Sequence, residues 1–304
     1  MTESMGYLAA LAMQPYANLA ATTTFSSSSA RLEFVDHDIR EEIDVIGDDG
    51  LRGTRTRAVE RLALGNVKIA GSITLEPTPA ELELLMPFIL GTSSSGGTYA
   101  VADTLPNLYL LADYVAKVAT YTTRVNKATF SSSPGKKLQL KLDLVGTVMT
   151  LGAAGTFASA SIPAMDLAAP YRMADLGTGV TINSVAYSLD KFELSIDNAI
   201  QPTYMQGTNA TDLEPTDRII MLSFETKYTS TEVTLQTDQR AGTGRAGSLA
   251  FVNPSAQTFS FTFANLVAPP KSTTVPGRQH LRYSNNYQAY GLSTTKEVVV
   301  VLPA

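Results

Sequence analysis

The sequence predicts a mainly β protein with a flanking α-helix. Three observations carry that prediction. Several stretches alternate apolar and polar residues with period two, Gly- and Pro-containing segments punctuate them, and one segment has complete start and stop signals for a helix. With 304 residues, 44% of them hydrophobic, the chain can bury a real core as one large or two ordinary domains.

The N-terminal run MGYLAALAM is apolar. Glu3 stands where a secretory leader carries Lys or Arg, and Gln14-Pro15 ends the run early, so a cleaved leader is not expected. A small, polar linker, AATTTFSSSS, follows from residue 20 to 29. Residues 1–30 are expected to form an N-terminal arm that orders only against a neighbour.

Residues 31–91 read as a charged β-hairpin, a capped helix and a glycine stop. The hairpin turn, GDDGLRGTRTRAVER, spans residues 47–61 and far exceeds the usual two to five residues. Its Asp48, Asp49, Arg52, Arg55, Arg57 and Arg61 offer both signs for ion pairs, so they suit contact with a neighbouring copy better than a pocket. After it, Thr78 can cap a helix, Pro79 fits the first helical position and Glu81 completes a capping box. Leu82, Leu85, Met86 and Ile89 form an apolar stripe that predicts a helix covering one face of a sheet. Gly91 stops the helix, and Pro87 should kink or shorten its last turn.

Strands follow. KLQLKLDLVG (137–146) places Leu138, Leu140, Leu142 and Leu144 on one face, and TFSFTFANLV (258–267) does the same with Phe259, Phe261 and Phe263. FELSIDNAI (192–200), RIIMLSFETKY (218–228) and EVVVVLP (297–303) are further strands, separated by turns such as SSSPG, GTGRAG and PPKSTTVPG. A diffuse repeat runs through them. SITLEPTPAEL from Ser72 can be laid over SFETKYTSTEV from Ser223, EFVDHDI from Glu33 over ELSIDNAI from Glu193, and the strand at Leu138 over that at Phe259. This predicts two β domains, 31–155 and 156–304, with the Ala-, Gly-, Ser- and Pro-rich stretch 152–183 as their boundary; the two may pack as one unit.

The residues point away from catalysis. His37 lies between Asp36 and Asp38, but on a strand these acids take the opposite face from the imidazole and make no compact metal site. His280 has no G-x-S-x-G partner. GTGRAG (242–247) matches G-x-G-x-x-G, but a strand and a turn follow it where a helix N-terminus is needed for a pyrophosphate. Asn209 opens a glycosylation sequon that carries no meaning without a secretory leader. No catalytic, cofactor-binding or metal-binding residue is identified, and no cofactor is expected. The net charge of −5 disfavours tight attachment to DNA or anionic membrane. The lack of cysteine excludes disulfides and thiolate metal sites, and no apolar run reaches the roughly 18–20 residues of a membrane span. Arg278 and Arg282 lie near Tyr283, Tyr287 and Tyr290. Such a mixture serves either a stacking platform for single-stranded nucleic acid or a protein interface, and the acidic balance favours an interface.

The charged strand, long basic turn, VKIAGSITLEPTPAELELLMPFILG (67–91) and Ser/Thr-rich β half resemble the tail tube (major tail) proteins of long-tailed bacteriophages, from about residue 33 to the C-terminus. The resemblance implies a tail-tube-type β-sandwich or barrel with a flanking helix, assembling into stacked rings around a DNA channel. The charged turn residues, Asp48 to Arg61, then become candidates for inter-ring contacts. The chain is longer than single-domain members. Duplication would account for this, and would let three chains make a pseudo-sixfold ring; a hexameric ring is the alternative. The implied partners are further copies of the chain and other tail proteins at the tube ends. DNA would pass without specific binding, repelled by an acidic lumen, and no membrane is involved. The implied location is the virion tail, after assembly in the bacterial cytoplasm. Rival readings are another β-rich virion protein, such as a capsid decoration or tail terminator protein, or a secreted β-sandwich adhesion module.

Overall fold

A computed structural model of the chain describes residues 9–21, 25–47, 62–153, 162–164, 166–270 and 281–303. The period-two segments form strands. In order the elements are β1 (Ala10–Met13), β2 (Ala30–Leu32), β3 (Phe34–His37), β4 (Arg40–Ile46), β5 (Ala63–Leu75), α1 (Pro79–Leu90), β6 (Thr98–Ala100), β7 (Leu108–Asp113), β8 (Lys117–Ser132) and β9 (Gln139–Ala153). Then come β10 (Val180–Ile182), β11 (Val185–Tyr187), β12 (Leu189–Asp197), β13 (Ile200–Thr203), β14 (Asp212–Pro215), β15 (Ile219–Lys227), α2 (Glu232–Arg240), β16 (Arg245–Val252), β17 (Thr258–Val267), β18 (Arg282–Tyr290) and β19 (Val298–Val301). All the strands but β13 and β14 join one largely antiparallel hydrogen-bonded network.

The N-terminal segment departs from expectation. Ala10–Met13 is buried and pairs with β2 on one side and β7 on the other. Its apolar residues therefore order within the chain itself, because they fill a slot in the core rather than waiting for a neighbour.

Helix α1 starts as its sequence requires. The Thr78 side chain accepts from the Glu81 amide, the Glu81 carboxylate accepts from the Thr78 amide, and Gly91 ends the helix at φ +91°. Besides the expected stripe, Pro87, Phe88 and Leu90 are buried. The helix is therefore enclosed on nearly all sides rather than laid over one face, as its apolar circumference allows. Pro87 does not shorten it, because the carbonyl of Glu83, which has lost its helical donor, accepts from the Tyr99 hydroxyl at 3.3 Å.

Two stretches of chain follow similar paths. β5 leads into α1; after the short β6, which pairs with β19, β7, β8 and β9 follow, and β9 returns to pair with β5. β15 leads into α2, then β16, β17 and β18 follow, and β18 returns to pair with β15. Ser72 faces Asp143 in the first, and Ser223 faces Asn286 in the second. Ser72 and Ser223 stand at like places in the two paths, while β9 after Leu138 returns to the first strand of its path as β18 does, and β17 with Phe259 does not.

The two halves share a ladder and a core. β8 pairs with β12, with Phe130 opposite Leu194 and Lys127 opposite Asp197. Phe130 meets Phe261 with ring centroids 5.1 Å apart, and Phe261 meets Phe259 at 4.7 Å. This aromatic packing, with Tyr171 and Phe251 beside it, fixes the order of the strands that carry the functional surface.

Candidate functional site on the polar face of the sheet

Because side chains alternate along a strand, a sheet with one face in the core presents every second residue on the other. The strands β5, β9, β8, β12, β15 and β18 lie side by side, and their cross-strand register places the outward residues in rows. One row is Thr74, Lys141, Thr129, Ser195, Met221 and Gln288. Ser72, Asp143, Lys127 and Asp197 form the next. A third contains Gln139, Ser131, Glu193, Ser223 and Asn286. A shallow basin of about 520 Å³ opens on this face, lined in part by Glu76, Lys137, Lys191 and Glu193.

Four cations on this face are held by carboxylates. Lys137 reaches Glu76 at 2.5 Å, and Lys141 reaches Asp143 at 3.3 Å. Glu225 holds Lys191 and Arg282, each at 2.9 Å, and Arg282 also lies 3.5 Å from Asp190. Beside them on the hairpin, Glu42 takes Arg40 at 2.9 Å and Lys68 at 3.1 Å. The Lys191 and Arg282 hydrogen bonds hold the Glu225 carboxyl below the usual range, and hydrogen bonds from Lys68 and Arg40 do the same for Glu42. The alternation of the strands delivers lysine and arginine to this face alongside the acids.

One edge of this surface is open among the described residues. β3 and β4 pair with β5 on one side, and among the described residues no strand takes their other side. Toward the hairpin tip, Val45, Ile46, Leu62 and Leu64 are exposed, Leu64 by 65%. Where the hairpin bends over β5, Gly71 has φ +149°, and a Cβ there would stand 2.6 Å from the Ile39 Cα.

The residues singled out from sequence fall in three places. Asp48, Asp49, Arg52, Arg55, Arg57, Arg61, Arg278 and His280 lie outside the described residues. Arg282 is on the polar face. Tyr283 and Tyr287 point the other way and are buried beneath α2. The Tyr283 hydroxyl donates to Gln239 Oε1 at 2.6 Å, and Gln239 Nε2 donates to the Tyr287 hydroxyl at 3.2 Å and to Asn285 at 2.9 Å. The grouping of Arg282 with these tyrosines separates for a simple reason: neighbours on a strand face opposite sides. His37 packs edge-on against Phe34 at 5.0 Å, and burial lowers its pKa. GTGRAG runs into β16. Helix α2 is absent from the sequence-based expectation, although Thr229 and Glu232 repeat the spacing of Thr78 and Glu81. The Thr229 amide donates to Glu232 at 2.7 Å.

A comparison with known protein families matches residues 15–289 to the family described as phage tail tube protein. The chain belongs to that family. The match covers both halves and the whole polar face, so this tail tube protein is a structural component of the virion, as the resemblance in its hairpin and helix implied. Its family is one of structural rather than enzymatic proteins. No match emerges among curated proteins. Among the described residues, no helix is long and apolar enough to cross a membrane.

Proposed function

We propose that the chain polymerises into stacked rings that form the tail tube, with the polar face of the sheet turned toward a channel through which DNA passes. The observation that carries this reading is a single continuous sheet, buried on one face and polar on the other, that ends in an open strand edge. An open edge is a template for pairing with another chain, and closing a ring removes it. A head-to-tail contact repeated about an axis gives such a ring, and axial stacking gives a tube.

Each ring holds three chains with pseudo-sixfold symmetry in this reading. The repeated path through α1 and α2 supports it, since each half offers the same order of strands to the ring, and duplication of an ancestral unit accounts for both. The exposed Val45, Ile46, Leu62 and Leu64 form an apolar base for the charged turn, which fits a contact made in assembly. We assign the inter-ring contact to that turn, with Asp48, Asp49, Arg52, Arg55, Arg57 and Arg61 as its charged groups. Other tail proteins meet the tube at its ends.

Electron microscopy of the purified protein tests this. Tubes or rings with threefold averages and six similar lobes are the expected result. A protein that stays monomeric at high concentration by light scattering and microscopy overturns it.

A further inference from the structure

We propose that the polar face is a self-neutralised surface, in which carboxylates act as fixed counterions to the lysines and arginines and so keep the face from holding nucleic acid. This rests on the reading of that face as the channel lining.

A free lysine binds DNA because neutralising a phosphate releases a condensed cation into solution. A lysine already held by a carboxylate must first lose that partner, so the gain is largely cancelled. On this face four cations are held, while among the described residues Lys127 and Lys136 on one side and Glu193 and Asp197 on the other have no ion pair and balance in sign. Glu225 lies between two cations from two different strands, Lys191 on β12 and Arg282 on β18. Lys137 is held by Glu76 and Lys141 by Asp143. Lys127 stands in the ladder directly between Asp143 on β9 and Asp197 on β12. The basin beside Glu76 and Lys191 is lined by serines and amides as well as charges. The net charge of −5 then need not be concentrated on this face for DNA to pass. The acids withhold the cations, and removing the acids uncovers a binding surface.

The experiment is a titration of a short fluorescent DNA duplex against the wild-type chain, Glu225→Gln, and the triple variant Glu76→Gln, Asp143→Asn, Glu225→Gln. Circular dichroism checks folding, and negative-stain microscopy checks assembly. Wild type is expected to show no salt-sensitive binding. The triple variant uncovers Lys137, Lys141, Lys191 and Arg282, so its affinity should fall with salt at a log–log slope of about −3 to −4. Glu225→Gln, which uncovers Lys191 and leaves Arg282 only Asp190, should give about −1 to −2, and it decides the matter alone should the triple variant not fold. A folded variant that binds no better than wild type overturns the inference, as does salt-sensitive binding by wild type itself. Wild-type tubes with no gain in the variants leave the proposed function standing without this inference. A monomer whose variants gain binding leaves the self-neutralised face without the tube.

Discussion

The Tyr99 hydroxyl donates to the backbone carbonyl of Glu83, 3.3 Å away. Pro87 has no N–H to give that carbonyl, so a side chain from β6 supplies the missing donor and lets α1 run on to Leu90. We expect Tyr99→Phe to lower stability by about 1 kcal/mol in urea denaturation. Pro87→Ala restores the helical donor, so in its background Tyr99→Phe should cost clearly less. Equal costs in both backgrounds would remove the compensation from the account.

Glu81 joins the helix start to the strand before the hairpin. One carboxylate oxygen accepts from the Glu33 amide at 2.7 Å and the other from the Thr78 amide at 3.0 Å. Glu81→Ala takes this partner from the buried Thr78 amide and the part-buried Glu33 amide, and should cost about 2 kcal/mol. Glu81→Gln can accept one bond but not both, so it should fall between. Thermal melts of the two variants check this order.

The same residue sets a pH dependence. Burial raises the Glu81 pKa above its ordinary 4.5, against the pull of its two hydrogen bonds. A raised carboxyl in the folded state costs stability at neutral pH, and that cost is relieved as pH falls through the folded pKa toward 4.5. Glu225, Glu42 and Asp38 have lowered pKa values. Their contributions are full above their unfolded values and are lost only as pH falls below them through the folded ones. His37 acts the other way, since burial lowers its pKa and it costs stability as pH falls below 6.5. The Glu81 effect is therefore read against Glu81→Gln: on mild acidification the stability of wild type relative to that variant should rise. A difference between the two that stays flat with pH would contradict the assignment.

Gly71 is where β5 passes beneath the bend between β3 and β4. Its φ is +149°, and the Ile39 Cα lies only 2.6 Å from the point an alanine Cβ would occupy, so Gly71→Ala must displace the backbone. We expect a loss of about 2 kcal/mol or more, since strain and close contact act together. Gly135, at φ +77° with open space around it, is the control, and its Ala variant should lose about 1 kcal/mol.

For the hairpin turn, the triple variant Arg52→Ala, Arg55→Ala, Arg57→Ala should keep the circular dichroism of wild type but assemble poorly, giving short tubes or isolated rings. Normal tubes with unchanged salt resistance would take the arginines out of assembly.

The mainly β class, the full cap of α1 from Thr78 to Gly91, and the apolar faces of β9 and β17 are all legible in the amino-acid order. These are local: a period of two or a capping box is written in adjacent residues and needs no distant partner. A weaker rhythm also pointed to matching segments at Ser72 and Ser223. What the residue order could not place was anything that depends on which strand lies beside which. The burial of β1 between β2 and β7, the return of β9 to β5 and of β18 to β15, and the separation of Arg282 from Tyr283 and Tyr287 emerge only when the folded chain brings its strands together. The polar face is the clearest case. Lys191, Glu225 and Arg282 are far apart in the chain and become one ion-pair group only when β12, β15 and β18 align, so the balance of charge on that surface arises from long-range strand pairing and from nothing local.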